Sequence, residues 1–308
     1  MFSNRPSAVC FGEILWDVLP DASMPGGAPM NVAYHLNKLG INSTLISRVG
    51  NDEPGKKLLE LLESWQLSAE YCQIDQKYRT SEVIAAVGDN HEVTYDILYP
   101  VAWDNISFEQ RFELLLKNAD ALVFGSLITR NIISADTLRT MIDIANYKVF
   151  DINLRAPHYS ANTIKQLLLR TNLLKLNVNE LTEVAGWYNS SAKTDEECIR
   201  FFQDEFNIEE IIVTKGSKGS SYYTPFLRLD HVAYKVEVAD TIGSGDSFLA
   251  GFLAKKLQRN CTDVSVSYAS ALGAYVTQHH GACPDYTIED IEQFKSEKAT
   301  EMHKVSKV

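Results

Sequence analysis

ALVFGSL (Ala121–Leu127) and KVFDINL (Lys148–Leu154) are short apolar runs, and Ser134–Tyr147 between them carries its apolar residues at helical spacing. The alternation continues. LLKLNV (Leu173–Val178) and EIIVTKG (Glu210–Gly216) are strand-like, while Ala161–Thr171 and Thr194–Phe206 are helix-like, each helical segment with Ser, Thr or Asn near its start as a cap. Such runs separated by helices are the pattern of βαβ units around a buried parallel sheet, because a strand covered on both faces has no polar side. From about Ala119 onward the chain reads as α/β.

The first hundred residues extend this core and interrupt it. SAVCFGEIL and STLISRVG supply two more strands, and Pro29–Leu39 between them reads as a helix with Pro in its first turn and Gly40 just past its end. Ser81–Leu98 instead alternates, with Val83, Ala85 and Val87, a Gly88-Asp89-Asn90 turn, then Val93, Tyr95 and Ile97, which is the period of a half-exposed antiparallel hairpin. The expectation is one domain over residues 1–308, with a small lid of strands inserted at about 18–26 and 70–104.

Composition narrows the partners. In 308 residues, 45% hydrophobic and 22% charged content is globular, and 29 basic against 40 acidic residues leave a net charge of −11. That balance gives no basic footprint for nucleic acid. The five cysteines are scattered, with no CxxC, and read as reduced thiols. No run of about 18 apolar residues predicts a membrane span, and MFSNRPSAVCFGEIL lacks a charged leader, so the expected location is the cytoplasm.

Two stretches carry chemistry. Asp240-Thr241-Ile242-Gly243-Ser244-Gly245-Asp246 leads into SFLAGFLAKKL, so two glycines enter a helix whose free N–H groups suit a phosphate. Taken alone, Asp246 is equally ordinary dipole compensation in a first turn. Gly26-Gly27-Ala28-Pro29-Met30-Asn31 follows a strand that ends near Asp17, which would bring a carboxylate, backbone amides and a carboxamide together as partners for sugar hydroxyls. A lone Gly-Gly is otherwise simply a turn.

Together, GGAPMNVAYHLNKLG…RVG and DTIGSGD resemble the paired motifs of the ribokinase-like, or PfkB, carbohydrate kinases, over roughly Ala8–Glu292. The resemblance implies a doubly wound, mostly parallel sheet with helices on both faces and a small β lid. It implies Asp246 as the base, Gly243, Ser244 and Gly245 as an anion hole, and Asp17, Gly27 and Asn31 as sugar contacts. Most relatives have Ala where Ser244 stands. Asn177 and Glu180 match an NxxE element that holds Mg²⁺ through water, although the same pair also starts a helix. Thr214, Gly216 and Gly219 match a nucleotide-side loop, and Asp240 and Thr241, with backbone near Gly281 and Ala282, match a K⁺ site. ATP and Mg²⁺, with K⁺ beside them, are therefore the implied cofactors, and a homodimer through the lid is the implied assembly.

The substrate is read from Phe150-Asp151-Ile152-Asn153-Leu154-Arg155, similar to the FDxNLR stretch of bacterial fructokinases and 2-keto-3-deoxygluconate kinases, with Arg155 aimed at the sugar. A sugar acid needs basic partners to offset its desolvation. Ser81–Asn105 offers no Lys or Arg and five carboxylates, Glu82, Asp89, Glu92, Asp96 and Asp104, which favours a neutral sugar. Tyr99–Asp104 resembles a stretch of some bacterial fructokinases, and Tyr95, Tyr99 and Trp103 are read as aromatics able to cover a sugar face or simply to pack. The expectation is a fructokinase. Its alternatives are a keto-deoxygluconate kinase, a kinase of another neutral sugar, and a non-catalytic sugar binder. His279 and His280, adjacent on a helix, cannot serve one metal ion, and His35 reads as a packed histidine.

Overall fold

The computed structural model describes residues 5–19, 22–87, 93–188 and 191–305. Its frame is a nine-stranded sheet: β1 (Ser7–Phe11), β4 (Asn42–Gly50), β5 (Cys72–Asp75), β8 (Ala121–Gly125), β9 (Lys148–Asp151), β10 (Leu173–Asn177), β11 (Glu210–Thr214), β12 (Ser220–Thr224) and β13 (Leu227–His231). The spatial order is β13-β12-β11-β10-β9-β8-β1-β4-β5, parallel except where β12 and β13 join antiparallel.

Side-chain alternation along these strands divides the interior into two layers. Ala8 and Cys10 of β1 face the core shared with α1 (Ala28–Lys38), α2 (Glu53–Ser64), α8 (Ser244–Leu257), α9 (Thr262–Thr277) and α10 (Ile288–Val305). Val9 and Phe11 face the other core, built with α3 (Gln110–Asn118), α4 (Ile132–Ile144), α5 (Ala161–Leu168), α6 (Val178–Trp187) and α7 (Asp195–Phe206). Helices thus cover both faces, which is why the central strands carry apolar residues on both sides. The chain starts in the middle at β1, builds outward to β4 and β5, and returns to β8 on the opposite side. That reversal puts a crevice at the carboxyl ends of β1 and β8, where doubly wound sheets bind ligands.

The second sheet holds β2 (Leu15–Leu19), β3 (Ala22–Gly26), β6 (Ser81–Val87) and β7 (Val93–Ile97) in the order β3-β2-β6-β7. It occupies less of the insertion than the composition suggests. Cys72–Asp75 pairs parallel with β4 on the large sheet, and Ala102–Asn105 is a short 3-10 helix buried in the second core. Trp103 is fully buried with the Arg130 guanidinium 4.0 Å from its ring, and Asp104 holds that guanidinium at 2.6 and 2.9 Å. Arg130 also donates to Leu98 O at 2.6 Å, fastening the exit of β7 to the core. Trp103 is therefore a core residue and covers no sugar, and Asp104 is a neutralised core acid, because their segment has already left the small sheet. Tyr99 is exposed. Asp89, Glu92 and the side chains of Tyr95 and Asp96 lie outside the described residues.

Candidate active site

A cleft of about 670 Å³ opens where the strands end, lined from below by Asp151, Lys175, Asn177, Thr214 and the 241–246 turn, and from above by Leu15, Asp17, Val83 and Ile97 of the small sheet. Its chemistry starts at α8. Gly243 caps that helix in a left-handed conformation (φ 74°), and a β-carbon there would stand 2.5 Å from Ala282 Cβ, so the position needs glycine on both conformational and steric grounds. The amides of the turn then meet the positive end of α8, the arrangement that holds a phosphoryl group. Ser244 turns its hydroxyl away from the cleft, 3.3 Å from Gly273 O and 3.1 Å from the Thr277 hydroxyl, so Ser in place of Ala leaves the turn intact.

Asp246, in the first turn of α8, is held by Asn31, whose Nδ2 donates to Asp246 Oδ2 at 2.8 Å across 215 residues of sequence. Asn31 is thus a partner of the acid as well as a candidate sugar contact. Burial and the nearby Asp151 raise the Asp246 pKa, while Lys175, Asn31 and Arg155 pull it down, and the upward effects win. Such a carboxyl has more affinity for a proton than a free aspartate, which suits a group that accepts one.

Beneath the turn lies a buried ion pair absent from the sequence expectations. Lys175 Nζ is 2.6 Å from Asp151 Oδ2, both side chains nearly inaccessible, and Nζ lies 3.1 Å from where a β-carbon on Gly245 would be. Burial works against the Lys175 charge, yet Asp151 and Asp246 outweigh it and hold its pKa above the ordinary value. The signal was a lysine in the middle of an apolar strand, LLKLN, opposite an aspartate ending the neighbouring strand, KVFD.

Glu13 is a second buried group that no motif in the sequence marks. Its Oε1 accepts from Ala28 N–H at 3.3 Å at the entry to α1, and its Oε2 is buried with no hydrogen-bond partner. Gly27 (φ 115°) must be glycine because a β-carbon would collide with Glu13 O. Burial raises Glu13 to about 7, with Arg155 opposing and Asp246 reinforcing the shift. Asp17 is pushed up to about 6 by burial, against the pull of Arg155. Arg155, exposed at the cleft mouth, thus answers three acids.

The remaining candidates divide. Thr214 reaches the cleft wall; Gly216 and Gly219 lie beyond it in the loop. Asn177 caps α6 through Asn179 N and Glu180 N, while Glu180 accepts from Asn177 N at 2.8 Å and Leu154 N at 2.9 Å, a reciprocal capping box inside the cleft wall. Asp240 accepts from Ile242 N and Gly281 N, stitching the turn to the 281–286 loop, and Thr241 lines the cleft. Among the described residues no cluster of three or more acids, His or Cys is arranged to cage a metal. No helix among them is long and apolar enough to cross a membrane.

A doubly wound sheet with a glycine-flanked helix entrance and an acid at its cleft defines a phosphotransferase of small molecules. Residues 21–289 match the family model described as pfkB family carbohydrate kinase, and the chain belongs to that family. Among its relatives are probable fructokinase-5 of Arabidopsis thaliana, 28% identical over 92% of this chain and 94% of that protein, and an ATP-dependent 6-phosphofructokinase of Thermoanaerobacterium thermosaccharolyticum, 30% identical over 88% and 84%. The crystal structure of fructokinase with bound ATP from Xylella fastidiosa superposes with a TM-score of 0.85 at 20% identity, covering 95% of this chain and 99% of that one.

Proposed function

We propose that this carbohydrate kinase is an ATP-dependent fructokinase, making fructose 6-phosphate and ADP. The observation that carries the reading is Asp246, tethered on one oxygen by Asn31 and set in the first turn of the helix whose entrance forms the anion-binding turn. Its free oxygen takes the proton of the sugar 6-hydroxyl as the hydroxyl oxygen bonds to the γ-phosphorus; the bond from phosphorus to the bridging oxygen breaks and ADP leaves. The Gly243, Ser244 and Gly245 amides meet the charge on the transferring group. Asp17, Gly27 and Asn31 face the sugar, and the small sheet acts as the lid that keeps water out, so that ATP is not hydrolysed instead.

The cleft is acidic: Glu13, Asp17, Asp151, Glu180 and Asp246 stand against Lys175 and Arg155. Such a site favours nucleotide that arrives with its charge neutralised by Mg²⁺, which keeps its own waters and binds chiefly to phosphate oxygens. The Asn177–Glu180 capping box leaves Glu180 at the cleft wall, where it would meet that hydration shell. A monovalent cation binds beside Asp240 in this reading; a double-mutant fructokinase of Vibrio cholerae, TM-score 0.80 at 24% identity, carries fructose, ADP and potassium ion in its crystal structure.

Neutral sugar is supported by charge. Lys175 is committed to Asp151, which leaves Arg155, exposed at the mouth, as the one other cation among the described lining residues against Glu13, Asp17, Glu180 and Asp246, a field that disfavours a substrate carboxylate or a second phosphate. The same point weighs against the 6-phosphofructokinase reading that the Thermoanaerobacterium relative suggests, and against a keto-deoxygluconate kinase. The test is ADP release with Mg·ATP and K⁺ against fructose, fructose 6-phosphate, ribose and 2-keto-3-deoxygluconate, repeated with Asp246→Asn. Fructose turnover lost in the variant is expected. Preference for either charged substrate overturns the charge argument.

A further inference from the structure

One flank of α1 grips a single stretch of chain, residues 282–286. Cys283 Sγ donates to Asn31 Oδ1 at 3.5 Å, Tyr34 OH donates to Pro284 O at 2.8 Å, and Lys38 pairs with Asp285 at 2.6 Å. Between them His35, fully buried, places Nε2 2.9 Å from Ala282 O and Nδ1 2.9 Å from Tyr286 OH. A carbonyl only accepts, so Nε2 carries the proton and the Tyr286 hydroxyl donates to Nδ1. The ring stacks on Tyr286 with centroids 5.7 Å apart, and burial pulls its pKa down to about 4, leaving it neutral.

The far side of the gripped stretch touches the phosphoryl turn. Ala282 is buried against Gly243 so closely that no β-carbon fits between them, and Gly281 N–H reaches Asp240. His35 itself lines no part of the cleft.

We infer that His35 is a positioning residue for phosphoryl transfer: its Nε2–H fixes the Ala282 carbonyl, seats Ala282 against Gly243, and so keeps the Gly243–Gly245 amides aimed into the cleft. The inference rests on the proposed role of that turn. Preorganised donors act on the transition state more than on bound substrate, so a small shift of the turn lowers rate and spares binding. Of the sugar contacts, Asp17 and Gly27 lie outside the 282–286 stretch, and Asn31, which accepts from Cys283, is held on its other side by Asp246.

The test compares His35→Leu, which keeps bulk and removes the donor, with His35→Gln, which returns a donor near the Nε2 position, and Lys38→Ala, which removes the exposed ion pair of the same flank. Steady-state kcat and both KM values are measured beside thermal midpoints, and amide exchange over residues 241–247 supplies a readout independent of any substrate. The expected result for His35→Leu is a kcat lower by at least about tenfold with both KM values within about twofold. Faster exchange in the turn accompanies it, His35→Gln recovers most of both, and Lys38→Ala changes neither. Unchanged exchange in His35→Leu, a loss that His35→Gln does not repair, or an equal loss in Lys38→Ala overturns the inference. Should Leu at this position prevent folding, His35→Asn, whose amide falls short of Ala282, carries the same expectation. If Asp246→Asn retains turnover, the assignment of the base falls, and the exchange data still decide the role of His35.

Discussion

The two ends of the cleft are built differently. At the phosphoryl end, the 243–246 turn is clamped by backbone packing against Ala282, by Lys175 beneath Gly245, and by Asn31 on Asp246. At the sugar end, Leu15, Asp17, Val83 and Ile97 come from a four-stranded sheet outside both cores, tied down where β7 exits by Arg130. The difference matches what each end does. Stabilising a transition state needs donors that do not reorganise, whereas admitting and enclosing a sugar needs a part that moves.

The comparison is broken most sharply at the base. Asp246→Asn is expected to lower turnover by about a thousandfold while fructose still binds, measured by ADP release and calorimetry. Retained turnover would remove Asp246 from the chemistry. Next comes the buried pair: Lys175→Met leaves Asp151 charged and unpaired, a loss of about 3–5 kcal/mol in chemical denaturation. Adding Asp151→Asn should return much of it, and failure of that rescue would show that Lys175 stabilises something other than its partner. At the sugar end, Asp17→Asn should raise the fructose KM by about tenfold with little change in kcat, the loss of one charge-assisted hydrogen bond. An equal fall in kcat would erase the asymmetry between the two ends.

A pH effect sharpens the contrast further. Glu13 in the fold holds its proton up to about 7 against 4.5 ordinarily, so the folded state binds more protons than the unfolded chain in between. Stability then falls as pH rises through that window, the reverse of the salt-bridged carboxylate. Glu13→Gln should flatten this slope and raise the thermal midpoint above neutrality; an unchanged slope assigns it to another group. The smallest effect is expected at Ser244→Ala, within about 0.5 kcal/mol and with normal turnover, because the hydroxyl faces α9 and not substrate.

Much of the fold was legible because burial on both faces forces an apolar strand and one-sided burial forces alternation. The runs at Ala121, Lys148, Leu173 and Glu210 begin the observed strands, and Pro29–Leu39 departs by one residue at each end from the helix found. Less of the small sheet was legible. Acids and aromatics in Ser81–Asn105 looked like one surface, but the chain leaves the sheet after Ile97, and composition carries no mark of where a segment turns inward. Asp104 is acidic in sequence and neutralised in space by Arg130, a residue 26 positions away.

Local sequence sets which chemistry is available: glycines where a helix meets an anion, an acid in that helix's first turn, and a carboxylate and carboxamide near a second glycine turn. These follow from local backbone rules. Which groups act on one another follows from the folded chain. Register between β9 and β10 sets Lys175 opposite Asp151, and docking of α1 against α8 brings Asn31 to Asp246. The reason is physical: propensity and periodicity act over a few residues, while a pKa or a hydrogen bond depends on distances that only chain crossing fixes.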